Sequence, residues 1–135
     1  MSKPIKTIFF GTHQFATTIL KGLIDSPLFE VTQVITQPDK PVGRKKTLTP
    51  PPVKTLALEY NIAVQQPDSL KQCDITQYNA DIAIVAQYGK IIPNHILNAC
   101  KHGTINTHTS LLPKYRGASP IQTTLINGDT TTGIT

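Results

Sequence analysis

The sequence predicts an α/β fold: a mostly parallel sheet with helices on both faces. Three observations carry this. A short apolar run at residues 7–10 ends in Gly11-Thr12 and leads into an amphipathic stretch, the strand–turn–helix opening of such folds. Segment 81–86 (Asp-Ile-Ala-Ile-Val-Ala) is apolar on both faces after its first residue, as suits a central strand covered by helices on both sides. Strand-like and helix-like segments alternate along the rest of the 135 residues, a length sufficient for one domain with a real core.

The elements follow in order. Phe15, Ala16, Ile19, Leu20, Leu23 and Ile24 recur at helical spacing after the first strand. Residues 30–37, rich in Val, Ile and Thr, read as a second strand. Prolines 38, 41, 50, 51 and 52 and a basic cluster then predict an irregular stretch over 38–52. Residues 53–60 read as a short helix with Pro52 in its first turn, and 63–66 as a third strand. After the 81–86 strand come a helix over 93–99, a strand over 103–109, a Pro/Gly loop over 111–119 and a helix over 120–127. Residues 131–135 begin as a further strand. This order is Rossmann-like, and ligands in such sheets bind beyond the carboxyl ends of the strands. The fold is expected to be truncated at its C-terminal end.

Composition narrows the function classes. No apolar run is long enough for a membrane span, and the opening Met-Ser-Lys-Pro-Ile-Lys has no signal-peptide core, so a cytoplasmic protein is expected. Cys73 and Cys100 are far apart, outside any CxxC, and are expected to be ordinary reduced cysteines with no metal. The net charge is +5, and most of it is local: Lys40, Arg44, Lys45, Lys46 and Lys54 face only Asp39 between Thr36 and Lys54. A local anionic partner is therefore the question to ask.

Three constellations bear on chemistry. Gly11-Thr12 allows a tight turn at a helix N-terminus, but Gly-Thr-His-Gln-Phe-Ala carries one glycine and not the G-x-G-x-x-G of a dinucleotide site. Asn106 and His108, and with them Ser110, would share one face at the carboxyl end of a strand. An amide donor beside an imidazole suits a developing oxyanion and a proton in flight, as acyl transfer requires; hydrogen-bonded structure is the competing reading. Asp39-Lys40-Pro41-Val42-Gly43-Arg44-Lys45-Lys46 fits a phosphate-backbone contact, against the alternative of a solvated loop.

These pieces in this order resemble the formyltransferases that use 10-formyltetrahydrofolate, and among them the methionyl-tRNA formyltransferases. The motifs are Phe10-Gly11-Thr12 with Phe15-Ala16, Thr36-Gln37-Pro38-Asp39-Lys40-Pro41-Val42-Gly43-Arg44, Tyr88-Gly89 with Ile92-Pro93, Ile105-Asn106-Thr107-His108-Thr109-Ser110-Leu111-Leu112-Pro113, and Tyr115-Arg116-Gly117-Ala118-Ser119-Pro120-Ile121. The resemblance implies that Asn106 and His108 are catalytic. It implies that Ser110, Leu111, Leu112, Pro113, Tyr88 and Gly89 contact the folate, and that Lys40, Arg44, Lys45 and Lys46 meet the acceptor end of methionyl initiator tRNA. It further implies that residues 1–135 are the N-terminal part of a formyltransferase domain, ending before the family's third catalytic position, an aspartate, and without its C-terminal β-barrel domain. Such a piece alone is expected to be inactive or weakly active. An amino-sugar or purine-precursor formyltransferase, or a non-catalytic folate- or RNA-binding fragment, are the alternative readings. His13 departs from the family, which usually has Pro there, as does Gln87, where a small residue is common. The sequence leaves the oligomeric state open.

Overall fold

A computed structural model describes residues 2–135. The chain divides into two compact units, the first ending at Ile105 and the second spanning Asn106–Thr135.

The first unit is built on a parallel sheet. Its strands are β1 (Ile5–Gly11), β2 (Phe29–Ile35), a short strand at Val64–Gln65, Ile82–Ala86 and Thr104–Thr107, the last of which runs across the unit boundary. An antiparallel hairpin, β3 (Lys40–Val42) and β4 (Thr47–Thr49), intervenes, so the three later sheet strands are β5, β6 and β7. The sheet order is β5-β2-β1-β6-β7, with β1 parallel to both β2 and β6. The chain order therefore reverses between β1 and β6, the topological switch point where such sheets take ligands.

Period-two alternation splits the core between the two sheet faces. Phe9, Val34, Ile84 and Ala86 face one side, where helix α1 (Gln14–Asp25) contributes Ala16, Leu20 and Leu23, and α2 (Pro52–Glu59) contributes Val53 and Ala57. Ile8, Phe10, Ile35, Ala83 and Val85 face the other. There they meet Leu70, Ile75, Tyr88, Cys100, and Ile96 of the one-turn helix α3 (Asn94–Leu97). Each fully buried Leu or Ile contributes about 1.5–3 kcal/mol.

Gly11 closes β1 for a reason of packing. A Cβ there would come within 2.9 Å of both the Ala16 Cβ and the Ala86 carbonyl oxygen. The absent side chain lets α1 and β6 close on the end of β1, so the constraint is close approach and not the tight turn alone.

Two expectations fail. The stretch 38–52 is not irregular: Lys40 pairs with Thr49, Pro41 with Leu48 and Val42 with Thr47 in the β3–β4 hairpin. A two-stranded ribbon has two open edges, so Pro41, which has no N–H, costs no ladder bond when that side faces outward. Gly43 and Lys46 turn the chain with positive φ, and the Lys46 N–H donates to the Gly43 carbonyl at 3.1 Å. Residues 131–135 likewise form no strand; Thr135 alone exchanges main-chain hydrogen bonds with His108, at 2.7 and 2.9 Å. The second unit otherwise consists of the 106–119 segment and helix α4 (Pro120–Ile126).

Candidate functional site

Within the first unit, the carboxyl ends of β1, β2 and β6 are tied around one carbonyl. The Tyr88 oxygen accepts from the Thr12 hydroxyl at 2.8 Å and from the Gln37 side-chain amide at 2.7 Å. Gln37 is buried, and its amide oxygen accepts from Lys40 Nζ at the base of the hairpin at 2.5 Å. Gln66 donates to the Gln37 carbonyl at 3.0 Å and to the Asp39 carboxylate at 2.6 Å. Lys54 Nζ completes this anchor with a 2.9 Å ion pair to Asp39. The Gln66 amide, and after it the Lys54 ammonium, hold the Asp39 carboxyl below the usual carboxylate range.

The Tyr88 ring points into the core, edge-on to Phe10 with centroids 5.5 Å apart. Burial, with a smaller contribution from Cys73, pushes its phenol up to about 12. Any contact between residue 88 and a ligand beyond the strand ends falls to its main chain. Gly89 follows at φ +82°, and a side chain there would run into the Gln37 amide. Gln87 also adopts positive φ, and His13 occupies the N-cap of α1 without a side-chain capping bond, which locates the two family departures at the ends of β6 and β1.

The hairpin carries Arg44, Lys45 and Lys46 at its exposed turn, flanked by exposed Val42 and Leu48. Of the four basic residues singled out from sequence, Lys40 is engaged by Gln37, while the other three lie together at the tip.

The second unit holds the other predicted residues. Strand β7 ends at Thr107, so Asn106 is its penultimate residue and His108 lies just beyond it. Asn106 is exposed. His108 Nδ1 lies 2.8 Å from Ser110 Oγ, and Nε2 lies 3.3 Å from the Gly117 carbonyl oxygen. Ser110 is fully buried, and its hydroxyl donates to the Lys114 carbonyl at 2.7 Å. Its hydroxyl therefore has local partners, while Leu111, Leu112 and Pro113 are exposed. The Tyr115 hydroxyl donates to the Asp129 carboxylate and accepts from the Asn127 amide at 3.3 Å, bracing the loop to the end of α4. Among the described residues no cluster suited to a metal ion is present, and no helix is long and apolar enough to cross a membrane.

Sequence reasoning missed the bracing roles of Thr12, Gln37 and Gln66 and the carbonyls of Lys114 and Gly117. The Thr36-Gln37-Pro38-Asp39 motif marked Gln37; nothing local marked Gln66.

Residues 5–135 match the formyl transferase family. The chain belongs to that family. Its relatives include methionyl-tRNA formyltransferases of Caldicellulosiruptor saccharolyticus, 52% identical over 95% of the chain, and of Sulfurimonas denitrificans, 50% identical over 97%. The chain spans 43% and 44% of those two proteins, less than half of each. Among solved structures, glycinamide ribonucleotide transformylase 1 of Symbiobacterium toebii superposes with a TM-score of 0.75 at 17% identity, covering 99% of this chain and 65% of that one. A 4-N formyltransferase of Francisella tularensis gives 0.62 at 18% identity, over 98% of this chain and 49% of that one. At these identities the structures establish the formyl transferase fold, a Rossmann-like parallel sheet with helices on both faces.

Proposed function

We propose that this chain belongs to an enzyme that transfers a formyl group from 10-formyltetrahydrofolate to the α-amine of methionyl initiator tRNA, for translation initiation in the cytoplasm. In this reading residues 1–135 are the N-terminal, folate-binding part of its formyltransferase domain. The observation that carries it is the placement of Asn106 and His108 at the carboxyl end of β7, with an exposed amide and an oriented imidazole. The methionyl-tRNA formyltransferases among its relatives, and the basic hairpin, support this acceptor rather than an amino sugar or a purine precursor.

The residues present fit a folate donor. Gly89 leaves the main chain bare at the switch point, and Leu111, Leu112 and Pro113 offer apolar surface. The donor supplies an activated formyl group. Asn106 donates toward the carbonyl oxygen on which negative charge develops. His108 takes the proton released as the amine nitrogen bonds to the formyl carbon, and returns it to the leaving nitrogen. Arg44, Lys45 and Lys46 meet the tRNA phosphates, with Lys40 supporting the hairpin at its base.

Formyl transfer by the intact enzyme carrying Asn106→Ala tests the reading. Loss of one such donor lowers kcat about 10²–10³-fold. Wild-type rates would remove Asn106 from the reaction, and a preference for amino-sugar or ribonucleotide acceptors would replace the tRNA.

A further inference from the structure

We propose that Lys90 is a positioning residue for the formyl donor: it clamps the 87–92 turn, so that the bare main chain at Gly89 stands preformed beyond the end of β6. The inference rests on the formyl-transfer reading for the identity of the ligand. The clamp itself depends only on contacts within the first unit.

The turn has little else to hold it. Gln87 and Gly89 both adopt positive φ, at 47° and 82°, and for Gln87 this is a conformation that side chains disfavour. Gly89 is exposed and Ile91 is 93% exposed, so the turn does not hold itself by burying its own apex. At its ends, the Tyr88 ring sits in the core and Ile92 packs against it. The Tyr88 carbonyl is bound by Thr12 and Gln37. Between these anchors, Lys90 Nζ donates to the Asp68 carbonyl at 2.7 Å and to the Pro67 carbonyl at 3.3 Å. Among the described residues, these are the only hydrogen bonds that residues 89–91 make.

The two bonds close a circuit around the strand ends. Gln37 joins Tyr88 to the end of β2, and Gln66 joins Gln37 to the exit of β5. Pro67 and Asp68 follow Gln66 directly, and Lys90 returns from them to the turn. The side chain is half-buried, and hydrogen bonds from a charged donor are roughly twice as strong as neutral ones. Met at this position would keep the aliphatic stem and remove both bonds, leaving 89–91 tied only at its two ends. A ligand resting on Gly89 would then have to order the segment as it binds, so the loss falls on donor affinity and not on the chemical step.

The test uses the intact enzyme. Binding of 10-formyltetrahydrofolate is measured by calorimetry without tRNA, and main-chain amide exchange over residues 87–92 is followed by mass spectrometry. Lys90→Met should raise the donor Kd roughly 5–30-fold, the range for ordering one freed residue on binding, and exchange over 87–92 should quicken. At saturating donor, kcat and the KM for methionyl initiator tRNA should be unchanged. Lys90→Arg, which can still donate to both carbonyls, should restore the donor Kd and the exchange rate. A lysine that merely stabilises the fold would lower the melting temperature of Lys90→Met and leave the donor Kd alone; that result overturns the proposal. So does a raised Kd with exchange unchanged, which would make Lys90 a direct donor contact. Should Lys90→Met fail to fold, Lys90→Gln, which keeps an uncharged donor, gives the same comparison. No donor binding by the wild type would overturn the formyl-transfer reading and the donor half of this inference with it, while the exchange comparison still decides the clamp.

Discussion

Gln37 donates its side-chain amide to the Tyr88 carbonyl at 2.7 Å, joining the end of β2 to the end of β6 across 51 residues of sequence. The same amide receives Lys40 at the root of the basic hairpin. One buried side chain thus sets the bare main chain of Gly89 and the base of the hairpin against each other. Gln37→Met keeps the length and removes both bonds. The Lys40 ammonium then turns to solvent, while the Tyr88 carbonyl retains the Thr12 hydroxyl. The variant should lose about 1–3 kcal/mol in a denaturant titration, and trypsin should cut faster after Arg44, Lys45 and Lys46. An unchanged midpoint and an unchanged cleavage rate would mean that the brace holds nothing.

Gly11→Ala tests the close approach of α1 and β6. The added methyl meets Ala16 and Ala86 at 2.9 Å, and the main-chain oxygen of residue 86 cannot yield without moving the strand. Overpacking of this kind costs about 1–3 kcal/mol. The melting temperature should fall for Gly11→Ala and hold within about 0.5 kcal/mol-equivalent for Gly22→Ala or better, because nothing lies within 4 Å of a Cβ at residue 22.

The hairpin prediction concerns salt. Each phosphate neutralised steepens the dependence of log affinity on log salt by roughly 0.7–0.9. Replacing Arg44, Lys45 and Lys46 with Ala together should flatten the slope for methionyl initiator tRNA by about 2–3. Lys40→Ala should change it less, since Gln37 already holds that ammonium. An equal loss from Lys40→Ala would show that the clasp opens on binding.

The parts of the fold legible in sequence were those whose signal is local. Strand β6 announced itself because Ala83, Ile84, Val85 and Ala86 are buried on both faces. Helix α1 did so through the spacing of Ala16, Leu20 and Leu23. The hairpin is masked in the sequence because Pro41 and its neighbours are breakers of regular structure, although a two-stranded ribbon tolerates proline on an open edge. Its available signals were Gly43 at the turn and the Thr-Leu-Thr alternation of β4. Asn106 and His108 are legible as a pair of residue types, but the contacts around them are not. The Ser110 hydroxyl beside His108 is held by the carbonyl of Lys114, and no side-chain pattern encodes that. Gln66 was invisible for the same reason: it reaches Asp39 across 27 residues.

The Asp39 anchor gives a pH prediction. Its carboxyl is held below the ordinary carboxylate value of 3.8, by Gln66 first and then by Lys54. A carboxylate whose folded value is depressed contributes stability that is full above the unfolded value and fades as pH falls through the folded one. The anchor should therefore persist at pH 4 and open below it. Carboxyl carbon-13 shifts of Asp39 followed through acid titration read this directly. Gln66→Leu should move the midpoint back toward 3.8; a midpoint at or above 3.8 in the wild type would mean that the anchor is not formed in solution.

Tyr88 titrates at the other extreme. Its hydroxyl is buried with no hydrogen-bond partner among the described residues, and its phenol is pushed up to about 12. Between the ordinary phenol value of 10.0 and about 12, the unfolded chain releases a proton that the folded chain retains. Folding stability should then fall with rising pH across that window and be unaffected below it. Tyr88→Phe removes the group responsible and keeps the edge-on contact with Phe10. Deleting an unsatisfied buried hydroxyl relieves a desolvation cost of about 1–3 kcal/mol, so the variant should be as stable as the wild type at pH 7, or more so. It should also lose this part of the alkaline decline. A loss of stability at pH 7 would show that the hydroxyl has a buried partner, such as an ordered water, and that the ring is held by more than apolar packing.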